Sequence, residues 1–339
     1  VEDLRFRGLF QRAVRAPNLF ELTFPITSGT DNLSVDPCAG TNPIGKPTVI
    51  AKCVAQGAPS ALIGIIIQPI AGQVNNFTGG NPALNAEVSN TWTVGFVTEP
   101  KFFPGFSLSA DYFSVNIKDA IVPFGGTASN VVDACFTLND AFACSQIKRN
   151  TVTGSLSGGT TVGVTLTNQN AAQLATSGID VASSYRFNAF GGKIGLNFFG
   201  TYLKSYKLET FDVSSCAGQF GFECGEPLPR WKHTLDVDYS LDNGVGVSTR
   251  WRMVGSVTED SQTAIAKSSI PVYNYFDISA SWELNKHFTL RGGISNLINT
   301  KPPVVGGDAG TTASNSGNTF PNTYDTLGRT FFIGLTGRI

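Results

Sequence analysis

The feature that most constrains this chain is a strict alternation of apolar and polar residues over short segments. Successive side chains of a β-strand point to opposite faces, so this alternation predicts strands with one apolar and one polar face. Between positions 231 and 241, apolar or aromatic residues and His233 alternate with polar residues. The same pattern recurs at 245–253, 276–284 and 288–294, earlier at 106–112, 179–187 and 194–202, and in further candidates at 3–15 and 88–98. The chain is therefore predicted to be all-β.

The connections between these segments alternate in length. Short turns fall at about 99–104, 188–193, 242–244 and 285–287, and long segments at about 17–87, 122–170, 207–229, 257–272 and 299–324. Alternating strands alone would also fit a soluble sandwich or a lipocalin-like barrel. Short turns on one rim and long loops on the other are typical of an outer-membrane barrel. We therefore expect about ten strands of an antiparallel transmembrane β-barrel with long extracellular loops.

Composition excludes several other classes. Of the 339 residues, 41% are hydrophobic and 14% charged, so the chain is neither helix-rich nor disordered by composition. The best apolar run, residues 61–67, is about a third of the length of a membrane-spanning helix, which excludes an α-helical membrane protein. A formal net charge of −1 offers no broad attraction to nucleic acid, so nucleic acid is not expected as a partner.

Six cysteines fall in three close pairs: Cys38 with Cys53, Cys135 with Cys144, and Cys216 with Cys224. Each pair lies in a long polar segment, and none has the Cys-x2-Cys spacing of a zinc site. We interpret them as three local disulfides, which indicates an oxidising compartment outside the cytoplasm. Clustered free thiols and metal ligation are the alternatives. Helical spacing from Val131 to Lys148 also predicts a short loop helix held by Cys135 and Cys144.

Six short motifs follow one another in an order found in a known family. They lie at 7–22, 84–96, 106–113, 177–187, 290–302 and 327–335, and include Arg15-Ala16-Pro17-Asn18, Asn299-Thr300-Lys301-Pro302 and Gly328-Arg329. Each motif alone is weak, but the ordered set covers nearly the whole chain. It resembles the TonB-dependent receptors, which import scarce nutrients across the bacterial outer membrane. The last strand, which alternates up to Ile339, resembles the C-terminal strand that directs membrane insertion, although such strands usually end in phenylalanine.

The resemblance implies a fold and partners beyond this chain. Receptors of this family have 22 strands around a globular plug, so residues 1–339 would supply roughly the last ten strands. We find no plug and no energy-coupling box, and we expect the natural start to be missing. The implied partners are outer-membrane lipid, the TonB energy-coupling complex acting through the plug, and a nutrient of the siderophore, vitamin or oligosaccharide class. No cofactor is implied. A passive porin is the alternative.

Catalysis is not expected. A lipid-hydrolysing barrel would need a Ser, His and acid grouping, whereas the two histidines, His233 and His287, are interpreted as girdle residues. No Cys or His constellation indicates a metal site. The strand register predicts seven charged residues on the inward polar face, as candidates for a ligand path or for a solvated, plug-bracing lumen: Arg250, Arg252, Arg291, Asp180, Asp236, Asp238 and Asp277. Loop aromatics are candidates either for ligand stacking or for packing: Phe124, Phe136, Phe142, Phe211, Phe220 and Phe222.

Overall fold

The structure, a computed structural model, describes residues 3–33, 35–209, 213–221, 224–260, 267–307, 309 and 315–337. In these residues the strands are β1 Leu4–Arg15, β2 Thr27–Asn32, β3 Gln73–Thr78, β4 Glu87–Thr98, β5 Phe106–Pro123, β6 Ile147–Lys148, β7 Gly163–Thr165, β8 Asn168–Ala189, β9 Gly192–Glu209, β10 Val213–Ser215, β11 Gln219–Phe220, β12 Trp231–Leu241, β13 Val245–Val254, β14 Val257–Glu259, β15 Ser269–Ile270, β16 Tyr273–Asn285, β17 Phe288–Ser295 and β18 Thr330–Gly337.

The helices of the described residues are short. They are α1 Leu19–Thr23, α2 Pro47–Ala55, α3 Ala128–Phe136 and α4 Ala141–Ser145, with 3₁₀ turns at Ser60–Leu62 and Ile70–Gly72. None of them has the length and apolar character that a membrane crossing by a helix requires.

Ten strands form one large sheet, which we call the wall. Its order is β1-β4-β5-β8-β9-β12-β13-β16-β17-β18, and β10 pairs with β9 beside this path. All neighbours along the path are antiparallel. The predicted ten antiparallel strands, with short turns and long segments in alternation, are confirmed. Among the described residues, β1 and β18 are the two ends of the wall, so the barrel is partial and not closed.

The wall has the two faces that the sequence predicts. In register, Leu235 lies between Phe198 and Trp251, and these positions define the apolar face. Asp236 lies between Asn197 and Arg250, and these define the polar face. Apolar side chains remain uncovered: Phe6 is 79% exposed and Ile333 is 81% exposed. A face of this kind is suited to an apolar environment and not to water.

Aromatic side chains on the apolar face form two clusters at different heights. One lies near the short turns and contains Phe103, Phe106, Tyr185 and Phe187. The other lies toward the long segments and contains Phe198, Trp231, His233, Trp251 and Phe276. The outermost aromatic residues of the two clusters lie at the levels of Tyr239 and Trp231 in β12, which are roughly 26 Å apart at about 3.3 Å per residue. This distance is close to the roughly 25 Å apolar band of membrane barrels, and Phe198, Trp251 and Phe276 lie within it, in the row of Leu235.

A turn of two residues joins β8 to β9. Its two central residues, Phe190 and Gly191, both have positive φ, 52° and 76°. A two-residue hairpin turn with this twist favours glycine, and a phenylalanine there is unusual. The Tyr239 hydroxyl donates to the Phe190 carbonyl at 2.7 Å, which holds the turn against β12.

Buried cores lie in the long segments rather than in the wall. The first loop cluster comprises the described parts of 16–86 and 124–167, and the second comprises those of 210–230, 255–272 and 296–329. Phe136 packs against both cores of the first cluster. The second cluster is built around Phe220, Phe320 and Tyr324. Each cluster also holds a small sheet, β2-β3-β7-β6 in the first and β11-β14-β15 in the second.

The three predicted disulfides are present. Cys38–Cys53 and Cys135–Cys144 lie in the first loop cluster, and Cys216–Cys224 lies in the second. All three are on the long-segment side of the wall, as expected.

The single loop helix predicted from Val131 to Lys148 is wrong. The chain forms α3 and α4 instead, followed by strand β6. Asn139 adopts a left-handed conformation with φ of 59°, and the Asp140 side chain accepts from the Ala143 backbone N–H to start α4. A left-handed residue followed by a new N-cap ends one helix and begins another, which the apolar spacing alone does not reveal. The predicted terminal residue Ile339 and the loop aromatics Phe211 and Phe222 lie outside the described residues.

Candidate functional site

Charged side chains on the polar face of the wall occur in pairs. Across β4, the Arg7 guanidinium on β1 forms an ion pair with Asp111 on β5, with Nε 2.7 Å from a carboxylate oxygen. Gly95 lies between them in register. A Cβ at Gly95 would be 2.2 Å from a carboxylate oxygen of Asp111, so the pair needs glycine there. Neither residue was among the predicted polar-face candidates, and their pairing across a strand was not predicted.

A second carboxylate continues this row. Asp180 on β8 lies directly opposite Asp111 and accepts a hydrogen bond from the Thr201 hydroxyl at 2.7 Å. Arg7, Thr93, Ser109, Asp111, Asp180 and Phe199 line a shallow hollow in the polar face. The hollow combines two carboxylates and hydroxyls with one guanidinium, so it suits hydrated polar solutes.

A larger ionic network lies on β12, β13 and β16. Asp236 accepts from Arg250 Nε at 2.5 Å, and Arg250 lies opposite Asp277 in register. Arg252 donates to Asp277 at 3.3 Å. Asp238 accepts from the Ser248 hydroxyl at 2.6 Å.

The seven predicted polar-face residues therefore share one face but not one cluster. Asp180 belongs to the row of Arg7, and Asp238 is bound to Ser248 and Asn197. The larger network contains Asp236, Asp277, Arg250 and Arg252. Arg291 lies apart and donates to the Thr336 hydroxyl at 3.0 Å. A role for them in ligand passage or plug contact stays a prediction.

Arg252 joins the wall to the second loop cluster. Besides Asp277, its guanidinium donates to both carboxylate oxygens of Asp325, at 3.0 and 2.6 Å, and lies 5.0 Å from the centre of the Tyr275 ring. Bidentate pairing of this kind fixes geometry as well as charge. Close by, burial raises the pKa of the Tyr324 phenol, which is only 1% exposed. Sequence analysis did not identify Asp325, because no local pattern links a loop residue to a strand residue so far away.

The first loop cluster is closed by a buried ion pair. Arg149 donates to both carboxylate oxygens of Asp36 at 2.7 Å, and two further hydrogen bonds from its guanidinium reach the Gln56 side-chain carbonyl and the Gly154 backbone carbonyl. The side chains of Arg149 and Asp36 are 0% and 2% exposed. A buried pair in which all three guanidinium nitrogens donate hydrogen bonds locks two segments together.

At the loop-side rim, Arg15 holds two carboxylates. It lies 2.6 Å from Glu87 at the start of β4 and 2.9 Å from Glu21 in α1. Glu21 also forms a reciprocal capping box with Asn18. The Arg15 hydrogen bond lowers the pKa of the Glu21 carboxyl. The motif residues at 15–21 therefore fix the point where the chain leaves the wall.

The loop aromatics mostly pack inside the clusters. Phe124 and Phe220 are buried, and Phe136 packs against the loop cores. Phe142 is 47% exposed and meets Phe124 edge to face. Packing is thus the observed role of Phe124 and Phe220, and Phe142 alone among the described members of the set has a largely open ring.

The described residues show no group of three or more His, Cys, Asp or Glu that could hold a metal ion. His233 lies on the apolar face, where its Nδ1 accepts from the Trp231 indole N–H at 2.9 Å. Its contacts are aromatic, as expected of a girdle residue. The candidate site is therefore the polar face of the wall, whose charged side chains are paired with one another and, through Arg252, with the second loop cluster.

Comparison with known families decides what kind of wall this is. A family model described as "TonB dependent receptor-like, beta-barrel" matches residues 1–297. The chain belongs to the TonB-dependent receptor family. Members of this family are transporters of the outer membrane, and the resemblance found in the sequence motifs is confirmed.

Solved structures of this family share the fold. The ferric enterobactin receptor PfeA from Pseudomonas aeruginosa, as a double mutant, superposes with a TM-score of 0.60 at 16% identity, covering 99% of this chain and 38% of that one. The siderophore receptor PirA from Acinetobacter baumannii gives a TM-score of 0.56 at 15% identity, covering 99% and 39%. The chain thus spans well under half the length of these TonB-dependent receptors. No curated protein matches it in sequence.

Proposed function

We propose that this chain is the C-terminal portion of the barrel domain of an outer-membrane receptor that imports a scarce nutrient by energy coupling. The family match over residues 1–297 carries the proposal. It is supported by an uncovered apolar face for lipid, a polar face with paired charges, and disulfide-bonded loop clusters on one rim. The full protein would complete a barrel of 22 strands around a plug, and the inner-membrane TonB complex would act through that plug.

Siderophores are the favoured ligand class. The similar solved structures are receptors for ferric enterobactin and other siderophores, although their low identity to this chain supports only the fold. Vitamins and oligosaccharides are the other classes that such receptors import. The chain itself has no role as an enzyme in this proposal.

The polar face contributes by lining the path beside the plug. Arg250, Arg252 and Asp277 form a connected network there, and Arg252 carries it to the loops through Asp325. In this proposal the network braces the plug side of the wall, and the hollow lined by Asp111 and Asp180 stays hydrated.

The test is energy-dependent uptake by the full-length protein. Cells that carry or lack the gene are starved of iron and offered a panel of radiolabelled ferric siderophores, with and without a protonophore. We expect the protein to fractionate with the outer membrane and to import at least one ferric siderophore only in energised cells. Uptake that persists after the protonophore would indicate a passive porin and contradict the proposal. Selective uptake of a vitamin or oligosaccharide would keep the transporter and exclude the siderophore class.

A further inference from the structure

Two places on the polar face repeat one arrangement, in which an arginine, a glycine and an aspartate lie in register on three neighbouring strands. In the first, described above, Arg7 reaches over a glycine to pair with Asp111. In the second, Arg186 on β8, Gly195 on β9 and Asp238 on β12 lie side by side. In the described part of the chain, Arg186 forms no ion pair. The first place is therefore closed by its own charges, and the second is open.

The aspartate of the open place has other partners. Asp238 accepts a hydrogen bond from the Ser248 hydroxyl at 2.6 Å, and the Asn197 amide lies 3.5 Å from its second oxygen. A Cβ at Gly195 would lie 3.9 Å from the Asp238 Cβ, which is an ordinary contact distance. Packing therefore does not require glycine at this position, and the missing side chain leaves space beside Arg186.

Lys193 adds a second cation next to Arg186. It pairs in register with Asn188, two positions along β9 from Gly195, so the two cations are diagonal neighbours on adjacent strands. Diagonal neighbours in a sheet are roughly 7 to 8 Å apart, which is within reach of long side chains. Both cations are exposed, and Lys193 too has no ion pair with any residue that the structure describes. Like charges at this distance repel each other, and an anion between them would relieve the repulsion.

A hollow of about 410 Å³ lies between the two cations. Its other polar lining residues are Asn188, Asn197, Asp238 and Ser240. The hollow thus combines a guanidinium, an ammonium, amide groups and a hydroxyl. The planar fork of an arginine binds two oxygens of a carboxylate, and a lysine adds a compact charge. This set of donors suits one carboxylate group.

The acids around the hollow leave its two cations available. Three described acids in and between β12 and β16 lie level with Gly195 or nearer the short turns: Asp238, Asp242 and Glu283. The first has the partners given above, and Asp236, one row farther from the turns, is paired with Arg250. Asp242 lies in the exposed β12–β13 turn, where it lines a separate hollow with Lys193 and where water screens its charge. Glu283 lies three strand spacings from β9, roughly 14 Å at about 4.8 Å each.

We propose that Arg186 and Lys193 bind a carboxylate group of an anionic solute as it leaves the lumen. The short turns of outer-membrane barrels face the periplasm, so the hollow lies at the exit end of the polar face. This inference rests on the proposed import function, and it narrows the imported ligand to solutes that carry a carboxylate. The Asn188 amide and the Ser240 hydroxyl supply further hydrogen bonds to the bound group.

The experiment measures how citrate, as the probe, protects single lysines of the full-length protein in neutral detergent. A water-soluble acetylating reagent modifies exposed lysines, and peptide mass spectrometry gives the rate at each of them. Lys232 is the internal reference, because it is an exposed lysine of the polar face outside the hollow. We expect citrate to slow the acetylation of Lys193 at low salt and to leave Lys232 unchanged. High salt should weaken the protection.

Two variants and a matched control locate the bound citrate. Arg186→Gln keeps Lys193 as the reporter and should raise the citrate concentration for half protection by about fivefold. Gly195→Leu fills the hollow, keeps both cations and should abolish protection. Arg5→Gln is the control, since it removes an exposed polar-face arginine outside the hollow. It should change the citrate concentration by less than about twofold.

Protection that is unchanged in Arg186→Gln or in Gly195→Leu, or equally reduced in Arg5→Gln, would overturn the inference. A reactive Lys193 that citrate does not protect in the wild type would overturn it as well. A Lys193 that is already unreactive without citrate would show that an acidic side chain of the plug fills the hollow, and would exclude the solute.

Uptake by the same proteins separates this inference from the proposed function. Energised uptake of a ferric siderophore without protection of Lys193 would overturn the exit site alone. Protection of Lys193 without any energised uptake would support the carboxylate site and contradict the proposed import.

Discussion

The wall and the loop clusters differ in where they place their apolar side chains. The wall pairs nearly all of its backbone and leaves large apolar side chains such as Phe6 and Ile333 uncovered. The loop clusters bury their apolar side chains, as in a small soluble protein, and add disulfides and a buried ion pair. The comparison teaches that the two regions should respond to different perturbations. Substitutions in the loops should open them locally, whereas charges on the apolar face should hinder the wall in lipid.

The largest effect is expected from Arg149→Ala in the first loop cluster. The substitution leaves the Asp36 carboxylate buried without a cation. Removal of one partner of a buried ion pair lowers the free energy of unfolding by about 3 to 5 kcal/mol. Hydrogen exchange of the intact protein should show faster exchange across residues 35–68 and 124–166, with β12–β17 unchanged. The double variant Arg149→Met with Asp36→Leu should recover much of the loss. A single variant with normal protection would show that the pair does not close the cluster.

Charge on the apolar face is the next largest perturbation. Leu235→Arg should destabilise the wall by roughly 2 to 4 kcal/mol near the bilayer midplane, because the guanidinium faces lipid. Asn197→Arg, one register row away on the polar face, should be tolerated, since Asn197 lies opposite Asp236 and within 3.5 Å of Asp238. Reversible urea unfolding of the full protein in lipid vesicles measures both. Equal losses would mean that the two faces are wrongly assigned.

Removal of the Cys38–Cys53 disulfide should act only on the loops. Closing a loop of 15 residues stabilises by about 3 kcal/mol in the chain-entropy model. We expect a loss of about 2 kcal/mol, at the lower end of the usual range, because Asp36 and Gln56 beside the cysteines stay bound to Arg149. The Cys38→Ser and Cys53→Ser double variant should be cut by protease within residues 35–68 while the wall stays resistant. Cleavage within β12 or β13 would show that wall and loops are coupled.

Loosening the link between wall and second loop cluster should have a smaller effect. Asp325→Asn weakens a partly exposed bidentate ion pair with Arg252. We expect it to lower the stability of this segment by about 1 kcal/mol. Limited proteolysis should increase within residues 296–329 and leave the first loop cluster unchanged. Asp242→Asn in the short β12–β13 turn is the matched control and should change neither. Protection equal to that of the wild type would show that Arg252 is not the anchor of this segment.

Acidification should have the smallest effect, confined to the loop-side rim. Arg15 lowers the pKa of the Glu21 carboxyl in the folded protein. The ionised carboxylate therefore contributes to stability above the ordinary pKa of about 4.5, and this contribution is lost as the pH falls below that value. Hydrogen exchange at residues 18–24, corrected for the intrinsic rate, should increase between neutral pH and about pH 3.5, on the acid side of the ordinary Glu pKa. Glu21→Gln should show this faster exchange already at neutral pH. A variant with unchanged pH dependence would contradict the role of the carboxylate.

The wall could be predicted from the sequence because the residue pattern of each strand reflects the media on its two faces. Alternation around Leu235 and Asp236 follows directly from a strand between an apolar and a polar medium, and the turn lengths set the order of the strands. The disulfide pairs were also predictable, since both cysteines of each pair lie in one loop. These features depend on neighbours in sequence.

Contacts between distant segments were not predictable in the same way. Arg149 and Asp36 are 113 positions apart, and Arg252 and Asp325 are 73 apart, with no periodic pattern that links them. The break between α3 and α4 depends on a left-handed Asn139, which apolar spacing does not register. Arg7 and Asp111 were not among the predicted polar-face residues, and they meet across β4 because Gly95 has no side chain.

The strands of the wall differ in length, and this difference has a mechanical consequence. β8 has 22 residues and β12 has 11, so β8 is about 70 Å long, whereas about 9 to 11 residues suffice to cross a membrane. The additional length of β5 and β8 extends on the loop side and leads directly into the first loop cluster. Hydrogen bonds between antiparallel strands run perpendicular to the chain, so a pull on the loops along the strand axis loads many of them in shear at the same time. A force that pulls the first loop cluster away from the wall along the strand axis would therefore have to break many of these hydrogen bonds together rather than one after another.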